Sequence, residues 1–86
     1  MQAFVYKSTR QAETFVYLRE RDAFDLLPET LRQRLGGLAF VLDVALTPER
    51  QLAREDAARV CAQLLAQGWY LQLPPPPVPP LQGADG

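Results

Sequence analysis

Hydrophobic and polar positions divide the chain into short stretches of period two and two stretches of helical period. Phe4-Val5-Tyr6 is strand-like, Ser8 to Ala12 is polar and turn-like, and Glu13 to Arg19 alternates again. In that second stretch Phe15 and Tyr17 fall on one side, and Thr14, Val16 and Leu18 on the other. Two such runs about a short loop predict a β-hairpin. The loop lacks Asn-Gly or Asp-Gly, which predicts a longer or bulged connection rather than a two-residue turn. Glu20-Arg21-Asp22 breaks the alternation, with Asp22 placed to cap a short turn containing Phe24, Leu26 and Leu27. Pro28 suits the first turn of a helix, where a missing N–H costs little. Leu31 and Leu35 lie four apart and share a face of that helix. Gly36-Gly37 ends it, with Arg34 favourably placed near the negative end.

Leu38 to Leu46 is the most apolar run, and both of its parities are mostly apolar. That pattern predicts a strand buried on two sides or lying at the centre of a sheet, and Val41 and Val44 favour strand over helix. Thr47-Pro48-Glu49-Arg50 signals a turn. Residues 54–67 carry the clearest helical stripe: Ala57, Val60, Cys61, Leu64 and Leu65 on one face, with Glu55, Arg59, Gln63 and Gln67 outside it. Glu55 and Asp56 favour its positive end, but Arg54 offers no short acceptor as a cap. Gly68 then stands where a left-handed residue closes a helix. Trp69 to Leu73 alternates as a strand, and Pro74 to Pro77 stops it, because proline has no N–H for a ladder. The prolines favour the extended, stiff polyproline II conformation.

The order strand, strand, helix, strand, helix, strand predicts an α+β fold: a two-layer sandwich of about four strands with both helices on one face. If the strands joined by the second helix are parallel, the crossover is right-handed. Residues 1–77 are expected to form a single domain and residues 78–86 a disordered, proline-containing tail.

The segment Gln67-Gly68-Trp69-Tyr70-Leu71-Gln72-Leu73-Pro74-Pro75-Pro76 resembles the YcgL family of small bacterial proteins. In that family a helix ends in Gln-Gly, two aromatics follow, and Leu-Gln-Leu-Pro-Pro-Pro comes next. Val5 to Ser8, Tyr17-Leu18, Phe24, Pro28 and a glycine near residue 36 are similar too, so the resemblance spans about residues 3–77. Arg54 departs from the family, in which a small polar residue is usual at that position. The resemblance implies a proteobacterial domain of unknown function with a mixed α/β fold in the cytoplasm; it supplies no reaction.

Composition narrows the chemistry. The 86 residues include nine basic and ten acidic ones, for a net charge of −1, and 48% are hydrophobic. Neither half of the chain is a basic field of the kind that drives phosphate binding, so nucleic acid is disfavoured as a partner. A single cysteine, Cys61, allows no internal disulfide and suits a reducing compartment. No apolar run approaches the length of a membrane helix. Histidine, the commonest general base and metal ligand, is absent, and the lone serine, Ser8, has no partner base in view. Cys61 lies on the buried stripe of its helix, where it reads as a small hydrophobe. Asp22, Asp25 and Glu29 are spaced as helix-start acids rather than as an acid–base pair. Asp43, the one charge in the apolar run, reads as a solvent-facing strand residue or the partner of an arginine.

No catalytic residue, metal or cofactor is therefore assigned. The expected function is a non-enzymatic interaction module that binds a protein partner or itself through an open sheet face and the Trp69–Pro77 segment. Its candidate binding residues are Tyr6, Tyr17, Arg19, Trp69, Tyr70, Gln72, Pro74 and Pro75. Two alternatives stay open. One is an RNA-associated accessory factor stacking bases on the exposed rings; the other is an enzyme built from arginine and carboxylates.

Overall fold

β-branched and aromatic residues at alternating positions make Gln2–Ser8 (β1) and Phe15–Leu18 (β2) strands. A computed structural model describes residues 1–47, 49–50, 52 and 55–74; Pro48, Arg54, Pro75 and the tail 78–86 named above lie outside them. β1 and β2 pair antiparallel, Val5 against Tyr17 and Tyr6 against Val16, about a connection held by the Ser8 N–H on the Thr14 carbonyl at 2.9 Å. The expected longer loop is present, with Glu13 in the left-handed region at φ 54°.

A 3-10 turn at Phe24–Leu26 leads to the helix Glu29–Leu35 (α1). The cap of the turn is Ala23 rather than Asp22, and no side chain caps it; the Asp22 carbonyl accepts from the Phe24 N–H at 2.8 Å. Pro28 stands just before α1 rather than within its first turn. Leu38–Ala45 (β3) follows, and then the helix Ala57–Gln67 (α2) and the strand Trp69–Gln72 (β4). α2 begins later than the stripe suggests. Asp56 is its N-cap, its carboxylate accepting from the Ala58 N–H at 3.0 Å, so the missing acceptor at Arg54 is of no consequence.

The element order is the expected one, and the four strands form a single antiparallel sheet ordered β3-β1-β2-β4. Two expectations are corrected. First, the helices lie on opposite faces. Successive strand residues point to opposite sides. Val60, Cys61 and Leu64 of α2 pack with Ala3, Val5 and Tyr17, whereas Leu27 and Leu35 pack with Tyr6, Val16 and Leu18. The sandwich therefore has three layers. Its cause is the hairpin itself, which is apolar on both sides and needs cover on both. Second, β3 is an edge strand rather than a central one. Phe40, Val41 and Leu42 are 43%, 46% and 48% exposed. β1 and β2 hold the interior, and each crossover returns the chain to an outer edge. β3 and β4 lie at opposite edges and run antiparallel to each other, so α2 is not the link of a parallel pair.

β3 is also bulged. Val5 pairs with Leu42 but Tyr6 pairs with Phe40, leaving Val41 unpaired. A bulge adds one residue to one strand and re-aims its side chains.

Gly68 closes α2 at φ 89°, donating to the Leu64 carbonyl at 2.9 Å. A Cβ there would meet Leu26 Cδ1 at 2.7 Å. Gly68→Ala is expected to cost about 1–2 kcal/mol through the left-handed backbone, read as a lower urea midpoint at unchanged slope. Adding Leu26→Ala, which removes the contact but not the backbone strain, leaves that loss in place.

Candidate functional site

The α1 face carries the first group of candidate residues, and it is closed. Tyr6 is 1% exposed beneath the 3-10 turn. Its hydroxyl donates to Asp22 Oδ1 at 2.9 Å and accepts from the Asp22 N–H at 2.7 Å. Those two bonds fix Asp22 in its left-handed conformation at φ 60°, which aspartate tolerates better than most residues. Phe24 and Phe40 meet the Tyr6 ring edge-on at 5.0 and 5.7 Å, and the Arg21 guanidinium lies 4.5 Å from the Phe40 centroid. Burial raises the Tyr6 hydroxyl pKa above its ordinary value. Trp69 is half-buried on this same face, packed against the cluster.

Ser8 is buried and fully engaged. Its hydroxyl donates to the Leu35 carbonyl at 2.5 Å and accepts from the N–H groups of Arg10 and Gln11 at 3.1 and 2.8 Å. It pins the hairpin loop to the end of α1, a structural duty that leaves no hydroxyl for nucleophilic work. Cys61 is buried on α2, as its stripe suggests. Asp43 is exposed on β3, opposite Phe4. Arg21 and Asp22 form an exposed ion pair at 4.0 Å. No three His, Cys, Asp or Glu side chains come together as a metal site among the described residues. No helix among them is long and apolar enough to cross a membrane.

The α2 face is different, because α2 covers only part of it. Beside the helix runs a groove of about 320 Å³. Val5, Phe15 and Tyr17 make its floor, and Val41, Leu42 and Val44 of β3 make one wall. Gln72 stands at the opposite side, and Arg50 and Leu52 complete the lining. The bulge builds this wall. In a regular strand Val41 and Leu42 would point to opposite faces, yet both line the same groove. The polar group at the far side is held firmly: Tyr17 donates to Gln72 Oε1 at 3.0 Å in a buried bond that ties β2 to β4. Tyr70 stacks edge-on to Tyr17 at 6.1 Å and donates to the Glu55 carboxylate ahead of α2. Its pKa is pushed up to about 12, first by burial and then by the Glu55 carboxylate, which opposes a second negative charge.

The candidate residues thus separate. Tyr17 and Gln72 share the groove, and Tyr70 supports it from beside α2. Tyr6 and Trp69 belong to the opposite face. Arg19 is exposed near the end of α2, in a shallow cleft with Asp25 and Gln67. Pro74 is exposed just past β4. Among the described residues no sheet face is wholly open: Tyr6 and Tyr17 are core residues, and only the groove beside α2 is left. Val41, Leu42, Val44, Arg50 and Leu52 were not among the candidates. The signal for them is the apolar run 40–42 ahead of Asp43, which reads equally well as a buried strand.

The YcgL domain profile matches residues 3–75, a span that holds the whole groove. The chain is 58% identical over 74 residues to a YcgL domain-containing protein of Xanthomonas campestris pv. campestris (strain B100), covering 86% of each chain. It is 58% identical over 74 residues to another from Xanthomonas euvesicatoria pv. vesicatoria (strain 85-10), again 86% of each. A third, from Thioalkalivibrio sulfidiphilus (strain HL-EbGR7), is 47% identical over 75 residues, which is 87% of this chain and 93% of that one. The chain belongs to the YcgL domain family. The shared description names a domain and no reaction, so what this YcgL domain does must be argued from its surfaces.

Two measurements check the roles given to its hydroxyls. Ser8→Ala orphans a carbonyl and two N–H groups, and is expected to cost about 1–3 kcal/mol, read by urea denaturation. The Tyr70 hydroxyl has a folded pKa above the ordinary 10.0, so the folded state holds this proton more tightly than the unfolded chain. The stability it contributes is complete below pH 10 and lost as pH rises from 10 towards about 12. Tyr70→Phe should flatten that part of the stability–pH curve, and tyrosinate absorbance should show one late-titrating group fewer.

Proposed function

We propose that this YcgL domain is a non-enzymatic protein-interaction module whose contact surface is the groove beside α2. One observation carries the reading. The β3 bulge places Val41 and Leu42, nearly half exposed, beside the buried floor of Val5 and Tyr17. A concave, mostly apolar site with a few fixed polar groups is the usual form of a binding site. Here the fixed groups are the Gln72 amide, oriented by Tyr17, and the Arg50 side chain at the lining. The partner this fits is an extended apolar protein segment, with side chains for the groove and a backbone acceptor within reach of the Gln72 NH₂. Base stacking on the sheet is disfavoured, because Tyr6 and Tyr17 are buried and Trp69 and Tyr70 point to opposite faces.

A photo-crosslinking residue at Leu42 should capture a discrete protein in cells, and Val41→Asp in the same chain should reduce that capture several-fold. The same crosslinker at Leu65, which is exposed on α2, is the control. Equal capture from both positions, or none from Leu42, rejects the reading. Val41→Asp alters a surface position and is expected to shift folding stability by no more than about 0.5 kcal/mol, so lost capture would not reflect unfolding.

A further inference from the structure

We propose that the protein segment this groove takes is acidic as well as apolar: apolar side chains for the walls and an aspartate or glutamate whose carboxylate meets Arg50. The inference rests on the groove being the contact surface, and it names the chemistry of the partner. It starts from the charges around the groove. Among the described residues that line it, Arg50 is the one charged group; the others are apolar, phenolic or, in Gln72, a neutral amide. A second cation stands beside the floor. Val5 packs on the α2 side, and strand residues two apart share a face, so Lys7 projects to that side as well. Lys7 is exposed and pairs across the sheet with Phe15 of the floor.

The neighbouring acids are turned away or engaged. Asp43 pairs with Phe4, which packs on the opposite face, so its carboxylate is directed away from the groove. Glu55 accepts from the Tyr70 hydroxyl, and Asp56 caps α2. Glu49 adjoins Arg50 in sequence, yet no ion pair joins them among the described residues, and Glu49 is not part of the lining. The groove is therefore apolar with a net positive border. A guanidinium is weakly hydrated and presents a planar fork that a carboxylate can meet with two parallel bonds. Apolar walls that exclude water strengthen such a pair relative to open solvent. An apolar segment lacking an acid would cover Arg50 without giving it a partner, and a basic one would be repelled by Arg50 and Lys7 together. Shape and apolarity admit the segment, and charge chooses among the segments that fit.

The full chain, immobilised and used to select from a phage-displayed library of random peptide segments, tests this. The expected result is enrichment of segments that combine apolar residues with Asp or Glu, the acid being over-represented at least about three-fold, the scale of one exposed ion pair. Val41→Asn, which spoils the apolar wall without changing its charge, should abolish the enrichment. Lys7→Glu with Arg50→Glu should reverse the preference, selecting Lys or Arg in place of the acid; a reversed selection also shows that the variant is folded. Apolar segments that need Val41 but show no acidic bias, or the same bias on the charge-reversed chain, would overturn this proposal and leave the groove reading standing. Failure to enrich any segment, or enrichment indifferent to Val41→Asn, would overturn both. A dimer in sedimentation that Val41→Asn dissociates would make a second copy the occupant, and would overturn the proposal too.

Discussion

The pairing of β1 with β2 is the constraint on which the rest of the structure depends. These are the two interior strands, and their side chains are apolar on both faces: Ala3, Val5 and Tyr17 on one, Tyr6, Val16 and Leu18 on the other. A hairpin of this kind is not stable in water with either side bare. Each fully buried leucine or valine contributes roughly 1.5–3 kcal/mol, and Val16, Leu18, Val60 and Leu64 are fully buried. One helix cannot reach both sides. The chain therefore crosses over twice, once on each face, and the two returning strands have only the outer edges left to occupy.

That arrangement decides where surface is left over. α1 and the 3-10 turn before it close their face, with Leu27, Phe24 and Trp69 filling around Tyr6. α2 lies over Ala3, Val5 and Tyr17, and among the described residues the ground between it and β3 is a groove. Edge strands are commonly protected against indiscriminate pairing by bulges and charges, and β3 has both: the extra residue at Val41 and the exposed Asp43. The same bulge that spoils β3 as a template for another strand turns two apolar side chains into the groove. Blunting the edge and lining the groove are one structural device.

Much of this was legible in the residues. The hairpin, both helices, the end of β4 ahead of Pro74 and the closing role of Gly68 follow from periodicity and from the backbone chemistry of glycine and proline. Layering was misjudged although its signal was present. Val16 and Leu18 on the opposite parity from Phe15 and Tyr17 mean two apolar faces, and two apolar faces mean cover on both sides. β3 was misplaced for a deeper reason. Apolar residues at both parities describe a strand that touches apolar material on both sides, and they do not distinguish burial at a sheet centre from a bulged edge that lines a groove. The bulge is invisible in sequence because no glycine marks it. Asp43 was the local hint: an unpaired charge at a sheet centre would be costly, whereas an edge leaves it in water. The helix begins three residues later than the stripe predicts, because Asp56 is its cap rather than an acid of its first turn.

What kind of function such a structure supports follows from how its polar groups are used. The hydroxyls that offered reactive chemistry are committed internally: Ser8 to the hairpin loop and α1, Tyr6 to Asp22, Tyr17 to Gln72, and Tyr70 to Glu55. Each sits at a junction between elements, so each resists being redirected towards a substrate without loosening the fold. Apolar side chains at the groove are in the reverse position. Val41 and Leu42 are held by the backbone but poorly covered, so burying them gains free energy without breaking any bond in the protein. Under the function proposed above, a partner's apolar segment is what these side chains would bury.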